Sequence, residues 1–427
     1  MSFSKKILEF TTAHRELLMK ILPVGMLRKI KGNMIQRNLR KVSEEGKQAF
    51  EPNTYPKGIT FIGDVRAEIG LGQSARLVVG EIAKSCVPFT VYQVDMDGHL
   101  QANDHSCDEV ISQTTPYGIN LFHINPYELG VLYSQLGKEV WQKRYNIVFW
   151  LWELQEFPEE WKACFPLVDE VWTPSEFTSA SIRKVIDVPV VTIPYAVKAP
   201  INAVYDRHYF HLPEKQILYL AMYDCNSTIG RKNPMGAIEA YKQAFPLETD
   251  GASDHGLVLK INNVREEELG ILKEALVGYE NVYFITDTLS KLEVNSLIAS
   301  VDVFVSLHRA EGFGLVMAEA MLNETVCVAT DWSSNTEFMN EDVACMVPCK
   351  LVTIEQGDTQ YRTGYHWAAP DVAVAAEYIS KLYLDKEYRL RKAELAKKYI
   401  EDKLSMEQAT RLIRERVEHI YREAQKQ

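Results

Sequence analysis

Two α/β domains, each built on a parallel sheet, are what this sequence predicts, and three observations carry that expectation. Short apolar runs rich in β-branched residues alternate with helical stretches from Ile59 onward, the pattern of right-handed βαβ units. The 427 residues exceed one ordinary core and suit two bodies of about 200 residues each. Between them, Pro194 to Pro213 is irregular and holds three prolines, which marks a passage from one body to the next.

In chain order, strands are expected near Ile59–Gly63, Phe89–Val94, Asn120–Ile124, Asn146–Phe149, Glu170–Thr173 and Val190–Ile193, which gives a first Rossmann-like domain. The second starts with a strand at Ile217–Met222 and a loop Tyr223–Asn233, followed by a helix opened by Pro234, a residue suited to the first helical position. Next come strand Leu257–Ile261, helix Arg265–Val277, strand Val282–Ile285, the loop Thr286–Ser290 and helix Lys291–Ala299. The tail reads as three helices, Pro370–Leu384, Lys386–Leu404 and Ser405–Arg422.

Composition narrows the class. Hydrophobic residues make up 46% and charged residues 25%, which suits a soluble chain. No run of about 18 apolar residues is present to cross a membrane, and MSFSKKILEF lacks the apolar core of a signal peptide. Seven cysteines, scattered without paired metal-ligand spacings, read as reduced thiols of a cytosolic protein. The net charge of −11 divides unevenly: residues 1–50 hold eleven Lys or Arg against four Asp or Glu, +7, leaving −18 for the remainder. That acidic body argues against nucleic acid as a partner. In the basic start, Ile7 to Ile30 mixes apolar residues with lysines and arginines, a pattern that fits either a surface for anionic membrane or a helical extension packing on protein.

The chemistry concentrates in Val301–Thr330, VDVFVSLHRAEGFGLVMAEAMLNETVCVAT, which reads as strand, loop, helix and strand. The loop lies at the crest of a parallel sheet, where open α/β folds bind ligands. Gly312 and Gly314 admit close approach of a ligand, and the helix start that follows favours an anion. Glu311 stands before the turn and Glu319 two helical turns on, so carboxylates flank an anion site, an arrangement that suits a phosphate joined to a polyol, as in a nucleotide sugar. Upstream, Arg231 and Lys232 stand just before the helix at Pro234, where two cations beside a positive helix end call for an anion between them.

Glu311-Gly-Phe-Gly-Leu-Val-Met-Ala-Glu319 resembles the two-glutamate signature of retaining glycosyltransferases with the GT-B fold, the glycosyl transferases group 1 that include bacterial mannosyl- and rhamnosyltransferases. The string Asp224 to Pro234 resembles that family's diphosphate clamp. The resemblance, which covers Thr60 to about Tyr421, implies two Rossmann-like domains facing each other across a cleft: an acceptor domain over 57–200, a nucleotide-sugar domain over 201–405, and a last helix, 406–427, returning to the first domain; the basic extension over residues 1–56 lies outside it. It implies donor binding by Arg231, Lys232, Glu311, Gly312, Phe313, Gly314, Leu315, Val316 and Glu319, with Thr286 in a loop that holds the base through backbone groups. Asn335 and Glu337 would lie near the sugar. On the acceptor side it implies the glycine loop Gly70, Leu71 and Gly72, together with Trp152 and Glu153 of WLWELQEFPEEW, and it places His123 near the transferred sugar as a catalytic group beside Glu311, Lys232 and Arg231. The expected partners are a nucleotide sugar and a glycan or lipid-linked acceptor in the cell envelope, with no metal or other cofactor. Two alternatives stay open: an oxidoreductase of NAD type using Gly70, Gly72 and Asp95, and a sugar-binding scaffold without catalysis.

Overall fold

The computed structural model describes residue 37 and residues 46–94, 104–247, 254–357 and 360–426, apart from the side chain of residue 160. The basic segment Ile7 to Ile30 and Asp95 lie outside the described residues. Two compact units emerge, one of Met1–Leu151, Phe157–Ala196 and Met406–Gln427, the other of Trp152–Glu156 and Val197–Ser405.

The first unit holds six parallel strands, β1 (Ile59–Gly63), β2 (Phe89–Gln93), β3 (Ile119–His123), β4 (Tyr145–Phe149), β5 (Glu170–Thr173) and β6 (Val190–Thr192), ordered β2-β1-β3-β4-β5-β6. All five residues of β1 and of β3 are buried, as continuous apolar runs covered on both faces require. Helices α1 (Gly70–Lys84), α2 (Leu129–Leu136) and α3 (Glu176–Arg183) follow β1, β3 and β5.

In the second unit β7 (Ile217–Asp224), β8 (His255–Asn262), β9 (Val282–Ile285), β10 (Val303–Ser306), β11 (Val326–Thr330) and β12 (Cys345–Val347) form a parallel sheet ordered β12-β11-β10-β7-β8-β9. Its helices are α4 (Ile229–Lys232), α5 (Pro234–Ala244), α6 (Glu266–Ala275), α7 (Lys291–Ala299), α8 (Leu315–Leu322), α9 (Val372–Leu384) and α10 (Lys386–Lys403). Tyr219, Leu257, Leu259, Ile261, Val303 and Val305 meet α5, α6 and α9 in one core on one face of the sheet. Strand order reverses between β7 and β10, which makes the crest above those two strands the switch point where open α/β sheets bind ligands. The last helix, α11 (Met406–Ala424), belongs to the first unit and packs along α1.

Two elements depart from the sequence reading. Strand β13 (Cys349–Thr353) and β14 (His366–Pro370) pair as an antiparallel hairpin that was not expected. Gly70 to Ala75, read as a glycine loop, is the first turn and a half of α1, because the loop proper is Asp64 to Ile69, held by Asp64 Oδ1 accepting from the amides of Arg66 and Ala67. All seven cysteines are free thiols. Among the described residues no helix is long and apolar enough to cross a membrane.

Candidate active site

The switch point of the second sheet is stitched together by backbone and side-chain bonds between the segments after β7 and after β10. Asp224 closes β7, accepting from the Asn226 amide at 2.7 Å and from Asn263 Nδ2 at 3.0 Å, and the chain then forms the single turn α4. Arg309 N donates to Arg231 O at 2.7 Å, and Asn233 Nδ2 donates to Leu307 O at 2.8 Å. Arg231 is buried, and its Nη1 donates to Ala310 O at 2.9 Å and Glu311 Oε1 at 3.1 Å. Lys232 Nζ donates to the same Glu311 oxygen.

The two cations close the single turn α4 and stand directly before Asn233, the cap of the helix opened by Pro234, where the sequence placed them. The carboxyl end of α4 welcomes positive charge, so the dipole there supports them. The anion that pairs with both is the protein's own Glu311. Burial alone would raise the Glu311 pKa, yet Lys232 and Arg231 together pull it down to about 2, so the carboxylate is ionised. Burial works against the Arg231 charge as well, but Tyr361, Glu311 and Glu153 outweigh it and hold the guanidinium protonated.

The backbone of Glu311 is pinned too: its amide donates to Ser333 Oγ at 3.0 Å and its carbonyl accepts from Ser334 Oγ at 2.8 Å. Gly312 and Phe313 follow, the Phe313 ring 5.2 Å from Phe338, and Gly314 stands before α8 at φ +96°, a conformation that favours glycine. Leu315 and Val316, half-buried, open the helix. Beneath the loop His308 is fully buried, with Nε2 3.1 Å from Asn335 Oδ1, and burial pushes its pKa down. Asn335 also donates to Thr330 O at 2.9 Å, so its amide braces the loop.

Glu319 sits deeper in α8, 1% exposed, where Lys291 at the start of α7 bonds Oε1 and Oε2 has no partner among the described residues. Burial raises its pKa against the pull of Lys291. Thr286, exposed, follows β9 at the same crest.

Trp152 and Glu153, expected with the first domain, belong to the second unit. A Cβ on Gly312 would lie 3.2 Å from the Trp152 carbonyl and 3.6 Å from Glu153 Cγ. Trp152 is fully buried and stacks on Tyr361 at 5.7 Å, so its faces meet protein; Tyr361 donates to the Glu153 carboxylate and faces the Arg231 guanidinium at 5.8 Å. Tyr361 comes from the β13–β14 connection, and His366, which opens β14, has Nδ1 2.8 Å from Glu156 Oε1.

The remaining residues lie in the first unit. Gly72 packs so tightly that a Cβ there would stand 2.0 Å from the Ala67 carbonyl oxygen, whereas Gly70 faces open space and Leu71 is half-buried. His123 ends β3 next to Gly63 of β1. It is 1% exposed, shares a 2.7 Å hydrogen bond with Ser74 Oγ and is stacked on Phe149 at 5.2 Å, and burial lowers its pKa to about 4, which leaves a neutral ring built into the core.

Sequence reasoning missed Lys291, Tyr361, His308, Ser333 and Ser334. Only His308 and the serines carried a signal, since both flank the expected loops. Among the described residues no group of three or more His, Cys, Asp or Glu is placed to hold a metal ion.

Residues 230–399 match the family Glycosyl transferases group 1. The structure is similar to that of Anabaena HepE in complex with UDP and glucose, at 12% identity, 85% coverage of this chain, 100% of that chain and a TM-score of 0.59. It is also similar to sucrose-phosphate synthase from Thermosynechococcus elongatus, at 15% identity, 86% and 99% coverage and a TM-score of 0.60. No curated protein sequence matches. With two six-stranded parallel sheets and these likenesses over nearly the whole chain, the fold is GT-B.

Proposed function

We propose that the chain transfers a sugar from a nucleoside diphosphate to an acceptor hydroxyl with retained anomeric configuration. The observation that carries this reading is the Arg231–Glu311–Lys232 cluster at the switch point, beside the glycine turn that opens α8. The group 1 match over the same residues supports sugar transfer, and the UDP and UDP-glucose complexes of HepE support a nucleotide-sugar donor.

Breaking the donor bond puts negative charge on the diphosphate and positive charge on the anomeric carbon. Arg231, Lys232 and the amides from Gly312 to Val316 receive the departing diphosphate, and fixed cations aimed at developing charge stabilise the transition state most. Glu311 pairs with both cations and leaves a net positive charge; a bound diphosphate takes them over and releases the carboxylate for sugar hydroxyls. Glu319, with its free buried oxygen, accepts from ribose hydroxyls, and the backbone at Thr286 holds the base. Gly70, Leu71 and Gly72 serve the acceptor, and Trp152 and Glu153 pack behind the Gly312 turn. The leaving phosphate takes the acceptor proton, so no metal is required: stimulation by Mg²⁺ that EDTA abolishes would contradict this.

The acceptor is a glycan or lipid-linked sugar of a bacterial envelope, and residues 1–50 hold the enzyme to an anionic membrane face. Equal flotation on anionic liposomes with and without those residues would remove the membrane role. For the activity itself, UDP-, GDP-, dTDP- and ADP-sugars are screened for transfer and the product anomer is read by NMR. Lys232→Ala and Glu311→Ala are expected to lower kcat by about 100-fold or more while the thermal unfolding transition persists. Unchanged transfer by both variants, or an inverted product, defeats the mechanism.

A further inference from the structure

Lys260 is a charge the donor mechanism does not use. It lies on β8, two residues before that strand's carboxyl end, and only 1% of it is exposed. Along β8 the residues Leu257, Leu259 and Ile261 point into the core shared with α5, α6 and α9, so Lys260 and Asn262 alternate to the opposite sheet face. Its ammonium donates to Asn262 Oδ1 at 2.5 Å, and no carboxylate pairs with it among the described residues. Burial lowers its pKa to about 8, partly offset by the more distant Asp224 and Asp287. A buried ammonium with three donors and one neutral acceptor is costly for a fold to keep.

The sheet order says what passes above it. Arg231 and Lys232 follow β7, Thr286 follows β9, and β8 lies between them. Lys260 is in register with Met222 of β7 and Ile285 of β9, the residue before Thr286. A nucleotide with its diphosphate on the two cations and its base at the loop after β9 therefore spans the carboxyl end of β8.

We propose, resting on the donor reading above, that Lys260 is a specificity-determining residue whose ammonium donates to a carbonyl on the base, which makes the donor a uridine, thymidine or guanosine diphosphate sugar. Uracil, thymine and guanine present a carbonyl oxygen where cytosine and adenine present an amino group. An ammonium has donors and no acceptor, so it bonds the first set and is left facing a donor by the second.

UDP and CDP differ only at that carbonyl and the adjoining ring nitrogen; GDP and ADP differ there too, and by the 2-amino group of guanine. Calorimetric titration of the full chain is expected to show UDP bound more tightly than CDP, and GDP more tightly than ADP, by about 10- to 100-fold for at least one pair. In Lys260→Met the favoured member falls to the level of its amino counterpart, whose affinity is unchanged. Equal affinities within both pairs in the unaltered protein overturn the assignment and leave the donor reading standing. So does an equal loss for all four nucleotides in the variant, which would mark a phosphate, ribose or packing role. Binding of none of the four defeats the donor reading together with the assignment. If Lys260→Met fails to fold, the two ratios in the unaltered protein decide the matter alone.

Discussion

Three buried glutamates show how position sets charge. Glu311 has its pKa depressed to about 2, so its contribution to stability is fully present above the unfolded value of about 4.3 and is lost as pH falls towards 2. Glu319, two helical turns on, is shifted upward by burial. Glu81 of α1 is the extreme: fully buried, accepting the Ala196 amide at 2.7 Å, with Oε2 unpartnered among the described residues, it is raised to about 8. For such a raised acid the folded state keeps a proton that the unfolded chain releases. Stability should then decline from about pH 4.3 to pH 8, by at most ~1.4 kcal/mol per pH unit. Glu81→Gln keeps the acceptor and cannot ionise, so its melting temperature should exceed that of the unaltered protein at pH 7.5 and converge with it near pH 4. A pH-independent difference between the two melting curves would refute the buried proton.

At the scale of elements, α1 begins where it does because Gly72 lets the helix press against the Ala67 carbonyl. A methyl group at 2.0 Å from backbone must move the loop, so Gly72→Ala should destabilise by about 2 kcal/mol or more, while Gly70→Ala, with open space at the same turn, should be neutral or slightly stabilising. Thermal unfolding of the pair checks this, and equal effects would mean the contact relaxes freely. The same contrast explains what was legible in the sequence. Strands such as β1 and β10 announce themselves as apolar β-branched runs because both sheet faces are covered, and α7 and α8 fall where the periodicity put them. Hairpin β13–β14 did not, because its strands are half-exposed and mixed in composition. Arg231, Lys232 and Glu311 were found through a local motif. Tyr361 and Lys291 reach the site only through long-range packing, and nothing in their neighbouring residues encodes that.

For the whole molecule, the path of the chain matters more than any single strand. It leaves the first unit at Leu151, returns at Phe157, leaves again at Ala196 and re-enters at Met406. What re-enters is α11, whose Arg416 bonds both oxygens of the fully buried Glu170 at 2.7 and 2.6 Å, alongside Tyr145 and Trp172. Arg416→Ala strands that carboxylate in the core and should cost about 3 kcal/mol, a fall in melting temperature of roughly 6–12 °C for a body of this size. Arg416→Lys, with one ammonium in place of the fork, should recover part of it. A melting temperature within a degree of the unaltered protein would show that Glu170 needs no cation.

That re-entry also orders events on the ribosome. Residues of the second unit up to Ser405 are all synthesised before the helix that covers Glu170, so an earlier-synthesised sheet must wait, incomplete, while a later one forms. A pause or a bound chaperone during that interval would guard the exposed flank of α1, and nascent chains halted near residue 400 should be cut by protease in the first sheet while the second resists.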